Sequence, residues 1–212
     1  MKVVFLDAAT LPTALQFDHA ALDYTAWPST TPAAVIDRIH DATVVITNKV
    51  RLDAAALRSA PRVRLVAVAA AGTDNIDKEA AAQLGIAVAN VPDYGSDSVA
   101  EHVIASLFAL RRHTLTYAAA ALDGRWTTSE HFCWTGPRIS DIGGTVFGVV
   151  GRGRIGEAAA RLARGLGMQV LFAQGRGGPC REDELPLNEL LERADVITLH
   201  VPLTETTRGM IG

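Results

Sequence analysis

Cysteine is scarce in this sequence: Cys133 and Cys180 are the two among 212 residues. So few exclude a disulfide framework and point to a reducing compartment. Charge of one sign is not in great excess, the formal net charge being −3. No basic cluster exceeds Arg111-Arg112, which reads as a solvated helix end, so neither a nucleic-acid nor an anionic-membrane partner is expected. Apolar runs are short. None approaches the roughly 18 residues of a membrane span, and Val3-Val-Phe-Leu6 is cut by Asp7 before it could form a signal-peptide core. A cytoplasmic protein is expected. Low-complexity tracts and long repeats are lacking. So are a Gly-x-Ser-x-Gly elbow and a clustered Cys/His ligand set, which leaves a hydrolase or a metal centre without support.

What the sequence does have is an ordered series of apolar runs punctuated by glycine. With 49% hydrophobic and 20% charged residues it can build one large core or two small ones. Its most informative stretch is Thr145-Val-Phe-Gly-Val-Val150 followed by Gly151-Arg-Gly-Arg-Ile-Gly156. A lone G-x-G-x-x-G is weak evidence, and context gives it weight. Ile155, Ala159, Leu162, Ala163 and Leu166 share one helical face, Gly167 stands where a left-handed cap belongs, and Met168 to Ala173 reads as a second strand. Strand, turn, helix and strand in that order aim the free N–H groups and the positive end of a helix at a pyrophosphate. Gly151 permits the tight turn, Gly153 lets the backbone approach phosphate, and Gly156 lets helix and strand pack closely.

The first hundred residues alternate strand and helix signals. Val3 to Leu6, Ala21 to Tyr24, Val44 to Thr47, Leu65 to Ala69 and Ile86 to Ala89 read as strands. Helix starts fall at Thr31-Pro32, Asp53 and Asp77, and Gly85 closes the last of these helices. Five strands with helices between them imply a parallel sheet covered on both faces, which binds ligands at the carboxyl ends of its strands. The loop Ala69-Ala-Ala-Gly-Thr-Asp-Asn75 lies at such an end. Its backbone N–H groups can meet an anion, an ordinary tight turn being the even alternative.

A boundary follows at Asn90-Val-Pro-Asp-Tyr-Gly-Ser96. Ser98-Val-Ala-Glu101 reads as a capping box starting one long helix that ends near Asp123-Gly124. Residues 125 to 143 look irregular yet carry Trp126, Phe132, Cys133 and Trp134, which favours a subunit interface over a self-packed loop.

Four stretches together resemble a known family. Gly72-Thr-Asp-Asn-Ile-Asp77, Asn90 through His102, the Gly151 fingerprint and Ala194 through Arg208 are similar, in order and spacing, to signatures of the D-2-hydroxyacid dehydrogenases. Ser129-Glu-His-Phe-Cys-Trp134 with Pro137-Arg-Ile-Ser-Asp-Ile142 looks most like the glycerate dehydrogenase (hydroxypyruvate reductase) branch. The resemblance implies an α/β protein. A flavodoxin-like substrate domain at 1–97, without its C-terminal return segment, would be followed by a partial Rossmann domain at 98–212, joined to it by hinges. It also implies NAD or NADP as cofactor, a small 2-hydroxy or 2-keto acid as substrate, and a homodimer.

Carried over by position, the resemblance gives Ala71 and Gly72 to the substrate carboxylate through their N–H groups. Arg154 and Ile155 would meet the pyrophosphate. Ser96 would lie near the cofactor at the hinge, and His200, Val201, Pro202 and Thr207 would border its nicotinamide half. Each has a plainer reading: Ser96 as a loop residue, Val201 and Pro202 as a strand end, and His200, between Leu199 and Val201, as a structural histidine. At the end of the second fingerprint strand, where an acidic side chain would bond the adenosine ribose, stands Gln174, with Arg176 near enough to pair with a phosphate. NADPH use within about tenfold of NADH is therefore expected.

Hydride transfer also needs a cation to polarise the keto group and an acid to protonate the alkoxide. The resemblance places an arginine and a glutamate-steered histidine for these roles beyond the segment that contains Thr207. His19, His40, His102, His113 and His131 match none of those positions, so no catalytic residue is assigned. Two readings follow: the N-terminal portion of an NAD(P)-dependent dehydrogenase, or a truncated, noncatalytic remnant serving as a nucleotide-binding or subunit-interaction module. The three strands Val146 to Val150, Met168 to Ala173 and Val196 to His200 would make roughly half of a six-stranded sheet, so this part is expected to fold poorly alone and to lack turnover.

Overall fold

Residues 1–17, 21–175 and 181–211 are described by the structure, a computed structural model. They divide into two compact units, Met1–Tyr94 and Gly95–Gly212. Arg176 and His19 lie outside the described residues.

In the first unit five strands run β1 (Lys2–Phe5), β2 (Asp23–Ala26), β3 (Val44–Thr47), β4 (Leu65–Val68) and β5 (Ala87–Asn90). All pair in parallel, in the order β2-β1-β3-β4-β5. That is the flavodoxin-like order. Alternation along each strand feeds two cores. Val4, Val45 and Val66 face one, with Leu52, Leu57 and Ile76, while Val3, Phe5 and Ile46 face the other. The connecting helices are short: α1 (Val35–Ile39), α2 (Ala54–Arg58) and α3 (Lys78–Gln83). The side chains of Asp53 and Asp77 accept from Ala56 N and Ala80 N at 2.9 Å, satisfying amides the helix cannot, each cap worth about 1 kcal/mol. Gly85 closes α3 at φ +67°. β2 starts two residues later than its apolar run suggests. Its register against β1 begins at Lys2↔Asp23, and Ala21 instead gives its carbonyl to the chain's amino terminus at 3.0 Å.

The second unit holds α4 (Ser96–Arg112), α5 (Thr114–Leu122), β6 (Val146–Val150), α6 (Arg154–Gly165), β7 (Gln169–Ala173), β8 (Glu184–Leu185), α7 (Leu187–Arg193) and β9 (Val196–Leu199). Its parallel sheet has the order β8-β7-β6-β9, four strands where periodicity points to three. β8 is two residues long, too short for a pattern. It exists because Phe172 N and Gln174 N donate to the carbonyls of Asp183 and Leu185 at 2.8 and 2.7 Å. Alanine sets the packing on one face: Ala159, Ala160 and Ala163 of α6 meet Ala100 and Leu107 of α4 above Phe147 and Phe172. Burying each such ring contributes about 1.5–3 kcal/mol. Beside β9, which pairs on one side only among the described residues, a mainly apolar cavity of about 380 Å³ opens against α4, lined by Val103, Leu107, Phe147, Val196 and Ile197.

Two helix boundaries differ from the sequence reading. α4 begins at Ser96 with Gly95 as its cap, so Ser98 and Glu101 lie inside the helix rather than forming a capping box. The long helix is also two. His113 takes a left-handed φ of 50°, and the helix breaks because the 140–141 segment claims its end. Ser140 N donates to Arg111 O at 2.9 Å, and Arg112 pairs with Asp141 at 2.7 Å. Residues 125–143 are irregular as expected, and partly self-packed: Trp134 stands edge-on to Tyr117, centroids 5.3 Å apart, under the Arg125 guanidinium. Phe132, at 95% exposure, is not.

Candidate functional site

Geometry at the carboxyl end of β6 is set by glycine. Gly151 has φ +106°, and a Cβ there would lie 2.4 Å from the His200 carbonyl oxygen. At Gly156 a Cβ would meet Gly151 O at 2.1 Å. Both positions exclude side chains because backbone passes against backbone. Gly153 differs. It caps α6, and a Cβ there would meet nothing within 4 Å. No packing demands glycine at that point, so its bareness leaves the first turn of α6 open to a ligand. Glu157 N is bonded to Gly153 O at 2.9 Å, while the amides of Ile155 and Gly156 ahead of it bond no described residue. This is the arrangement that holds a phosphate.

A cleft of about 430 Å³ opens at this turn, lined by Gly151, Arg152, Gln174, Glu184, Val201 and Thr207 among others. The structure thus gathers Gly151, Gln174, Val201 and Thr207 from three separate stretches of sequence. Thr207 Oγ1 donates to Pro202 O at 2.6 Å and accepts from Thr204 N at 2.8 Å, folding the segment after β9 back on itself. Ser96 and Pro202 do not line the cleft. Neither does His200: its ring lies along β9, with Nε2 2.9 Å from Thr198 Oγ1, and burial pushes its pKa below the usual histidine range.

In the first unit the loop after β4 is held from both sides. Asn90 Nδ2 donates to Ala71 O and Val91 N to Ala70 O, while Asn75 Nδ2 bonds Val50 O at 3.0 Å. Ala71 and Gly72 are exposed, and their N–H groups bond no described residue. A pinned loop with two open amides is suited to a carboxylate. The crevice between β1 and β3, where a sheet of this order usually binds its ligand, is filled by the chain itself. The buried carboxylate of Asp7 accepts from Asn48, Lys49 and Val50 N at 2.8, 2.6 and 3.2 Å.

Comparison with known proteins bears on the family and the fold. The profile of the D-isomer specific 2-hydroxyacid dehydrogenase catalytic domain matches residues 3–172. The whole chain is 39% identical to a putative 2-hydroxyacid dehydrogenase of Haemophilus influenzae, covering 68% of that protein. The chain belongs to the D-isomer specific 2-hydroxyacid dehydrogenase family. A glycerate dehydrogenase of Methylorubrum extorquens is 40% identical over the full chain, which covers 67% of it. The D-lactate dehydrogenase of Aquifex aeolicus, solved with NAD and lactic acid, superposes with a TM-score of 0.77 at 25% identity over 97% of this chain and 62% of that one. This chain therefore spans about two thirds of the length of the relatives it matches.

Within this dehydrogenase fold, side chains that sequence reasoning passed over prove central. Arg152, the variable second position of the fingerprint, lies with its guanidinium 4.1 Å from the Phe172 ring centroid. It donates to Glu157 and Asp183, each at 2.7 Å. Those bonds hold its pKa well above the usual arginine range, Asp183 contributing most, and Arg152 in turn holds the Asp183 carboxyl below the carboxylate range. Asp183 and Glu184 follow the described part of the β7–β8 connection, with no motif to mark them. Asp7 read as the residue that ends an apolar run, and only its buried partners reveal its role.

Proposed function

We propose that this chain serves an NAD(P)-dependent D-2-hydroxyacid dehydrogenase that interconverts a small 2-keto acid, of the hydroxypyruvate or glyoxylate kind, and the corresponding 2-hydroxy acid. Residues 1–97 form the substrate domain in this reading, and 98–212 the N-terminal half of the NAD(P)-binding domain. The observation that carries it is the open turn at Gly153, a bare helix N-terminus beside the 430 Å³ cleft. The amides of Arg154 and Ile155 hold the pyrophosphate, and Gln174 bonds the adenosine ribose. Ser96, His200, Val201, Pro202 and Thr207 border the nicotinamide half, which when bound supplies or takes up the hydride. The Ala71 and Gly72 amides fix the substrate carboxylate and so orient its keto carbon. Leu115, Leu122 and Phe132, exposed by 78, 89 and 95%, support a homodimer formed through α5 and the segment after it. We place the protein in the cytoplasm. No helix among the described residues is long and apolar enough to cross a membrane.

Calorimetric titration of the purified chain with NADH and with NADPH tests the cofactor reading without requiring turnover. Saturable binding of one nucleotide per chain is expected, weakened about tenfold or more in Gly153→Asp, whose carboxylate would occupy the phosphate position. A folded chain that binds neither nucleotide at millimolar concentration would reject the reading and leave the subunit-interaction module in its place. Turnover of NADH with hydroxypyruvate by the complete enzyme tests the substrate class.

A further inference from the structure

Gln174 leaves the end of β7 without the negative charge that bonds an adenosine ribose and repels a 2′-phosphate. The cleft is not without a carboxylate, however. β8 runs beside β7 with Phe172↔Glu184 and Ala173↔Leu185 in register, which brings Glu184 into the lining that Gln174 shares. The Glu184 side chain is 10% exposed: Oε1 accepts from Arg152 Nη1 at 3.2 Å and lies 4.0 Å from Arg181 Nε, and Oε2 accepts from Arg181 N at 3.2 Å. Arg152 is held in turn by Glu157 at 2.7 Å and by both oxygens of Asp183, at 2.7 and 3.1 Å. Its bond to Glu184 is the longest of the four.

We propose that Glu184, rather than Gln174, sets the choice between the two nicotinamide cofactors: its carboxylate accepts from the 2′-hydroxyl of NADH and, by occupying Arg152, denies that guanidinium to the 2′-phosphate of NADPH. The inference rests on the reading of this cleft as a dinucleotide site. A phosphate carrying about −1.5 to −2 charges would meet a carboxylate in a partly enclosed cleft, where repulsion is poorly screened. With Glu184 neutral, one N–H of Arg152 Nη1 is less firmly held while the other stays on Asp183 Oδ1 at 2.7 Å, and the loosened N–H can make a charge-assisted bond to phosphate oxygen. Asp183 and Glu157 would still hold the guanidinium in place over Phe172.

The test is titration of the wild-type chain and two variants with NADH, NADPH, AMP and adenosine 2′,5′-bisphosphate, followed by calorimetry. Glu184→Gln should raise the NADPH-to-NADH affinity ratio about tenfold or more, with the same shift in the bisphosphate-to-AMP ratio. Gln174→Glu, at an exposed position that folding tolerates, should improve NADH affinity less than about threefold, because the ribose already has its carboxylate. A ratio that moves less than twofold in a folded Glu184→Gln chain would overturn the inference, as would a tenfold gain in NADH affinity from Gln174→Glu. Both outcomes leave the cleft a nucleotide site. A wild-type chain that binds none of the four ligands would overturn the cleft reading and this inference together.

Discussion

The two sheets of this protein are built alike and end differently. Each is parallel, carries a core on either face, and turns at its carboxyl edge into loops of small residues. In the first unit the crevice at the switch in strand order is closed by the chain's own Asp7, whose carboxylate takes three backbone amides. In the second unit the corresponding feature is a glycine turn with amides left open and a cleft before it. The contrast teaches how one architecture yields a filled crevice or an open one. A fixed internal anion satisfies the amides in the first case, and in the second they remain available to an external one. The open amides of the first unit lie one strand over, at Ala71 and Gly72, in a loop held by Asn75 and Asn90.

The sharpest way to break this contrast is to fill the glycine turn. Gly156→Ala would push a methyl group into Gly151 O, and it should lower the stability of the second unit by about 3 kcal/mol, against no more than about 1 for Gly153→Ala, which points into open space. Denaturant titrations of both variants measure the difference. Equal losses would mean that the two glycines do not divide into one for packing and one for ligand.

Removing the internal anion comes next. Asp7→Ala removes the acceptor of three partly buried amides, of which Val50 N keeps Thr47 Oγ1 at 3.0 Å, and should cost about 2 kcal/mol. Hydrogen exchange would locate the loss at residues 48–50 and their sheet, with protection of α6 unchanged. A loss spread evenly over both units would argue against Asp7 acting as a local plug. The smallest effect is in acid. Burial holds the His200 imidazole below its ordinary pKa of 6.5, so the unfolded chain takes up a proton that the folded unit resists. Stability is thus full above about pH 6.5 and declines as pH falls through that value toward the folded pKa. His200→Gln should flatten the slope between pH 7 and 5, and an unchanged slope would assign it to other groups.

Much of this was legible in the sequence. Among the described residues, eight of the nine strands follow from apolar runs, most plainly β1, β3, β6 and β7, whose buried residues must be apolar in succession. The caps at Asp53 and Asp77 and the turn at Gly151 follow from local chemistry that neighbouring residues impose. β8 was not legible, since two residues carry no period. The break at His113 was hidden too, being imposed by a segment nearly thirty residues away.

By itself the sequence determined the family, the alternation of strand and helix, and the glycine turn, since backbone preference and apolar period act over a few residues at a time. Tertiary structure alone decided which charges meet. Asp7 reaches the loop after β3, and Arg152 reaches Asp183 and Glu184 across about thirty residues of chain. Such pairs leave no local trace in the sequence. Their partners are chosen by strand order and register, and those are settled only when the sheets assemble.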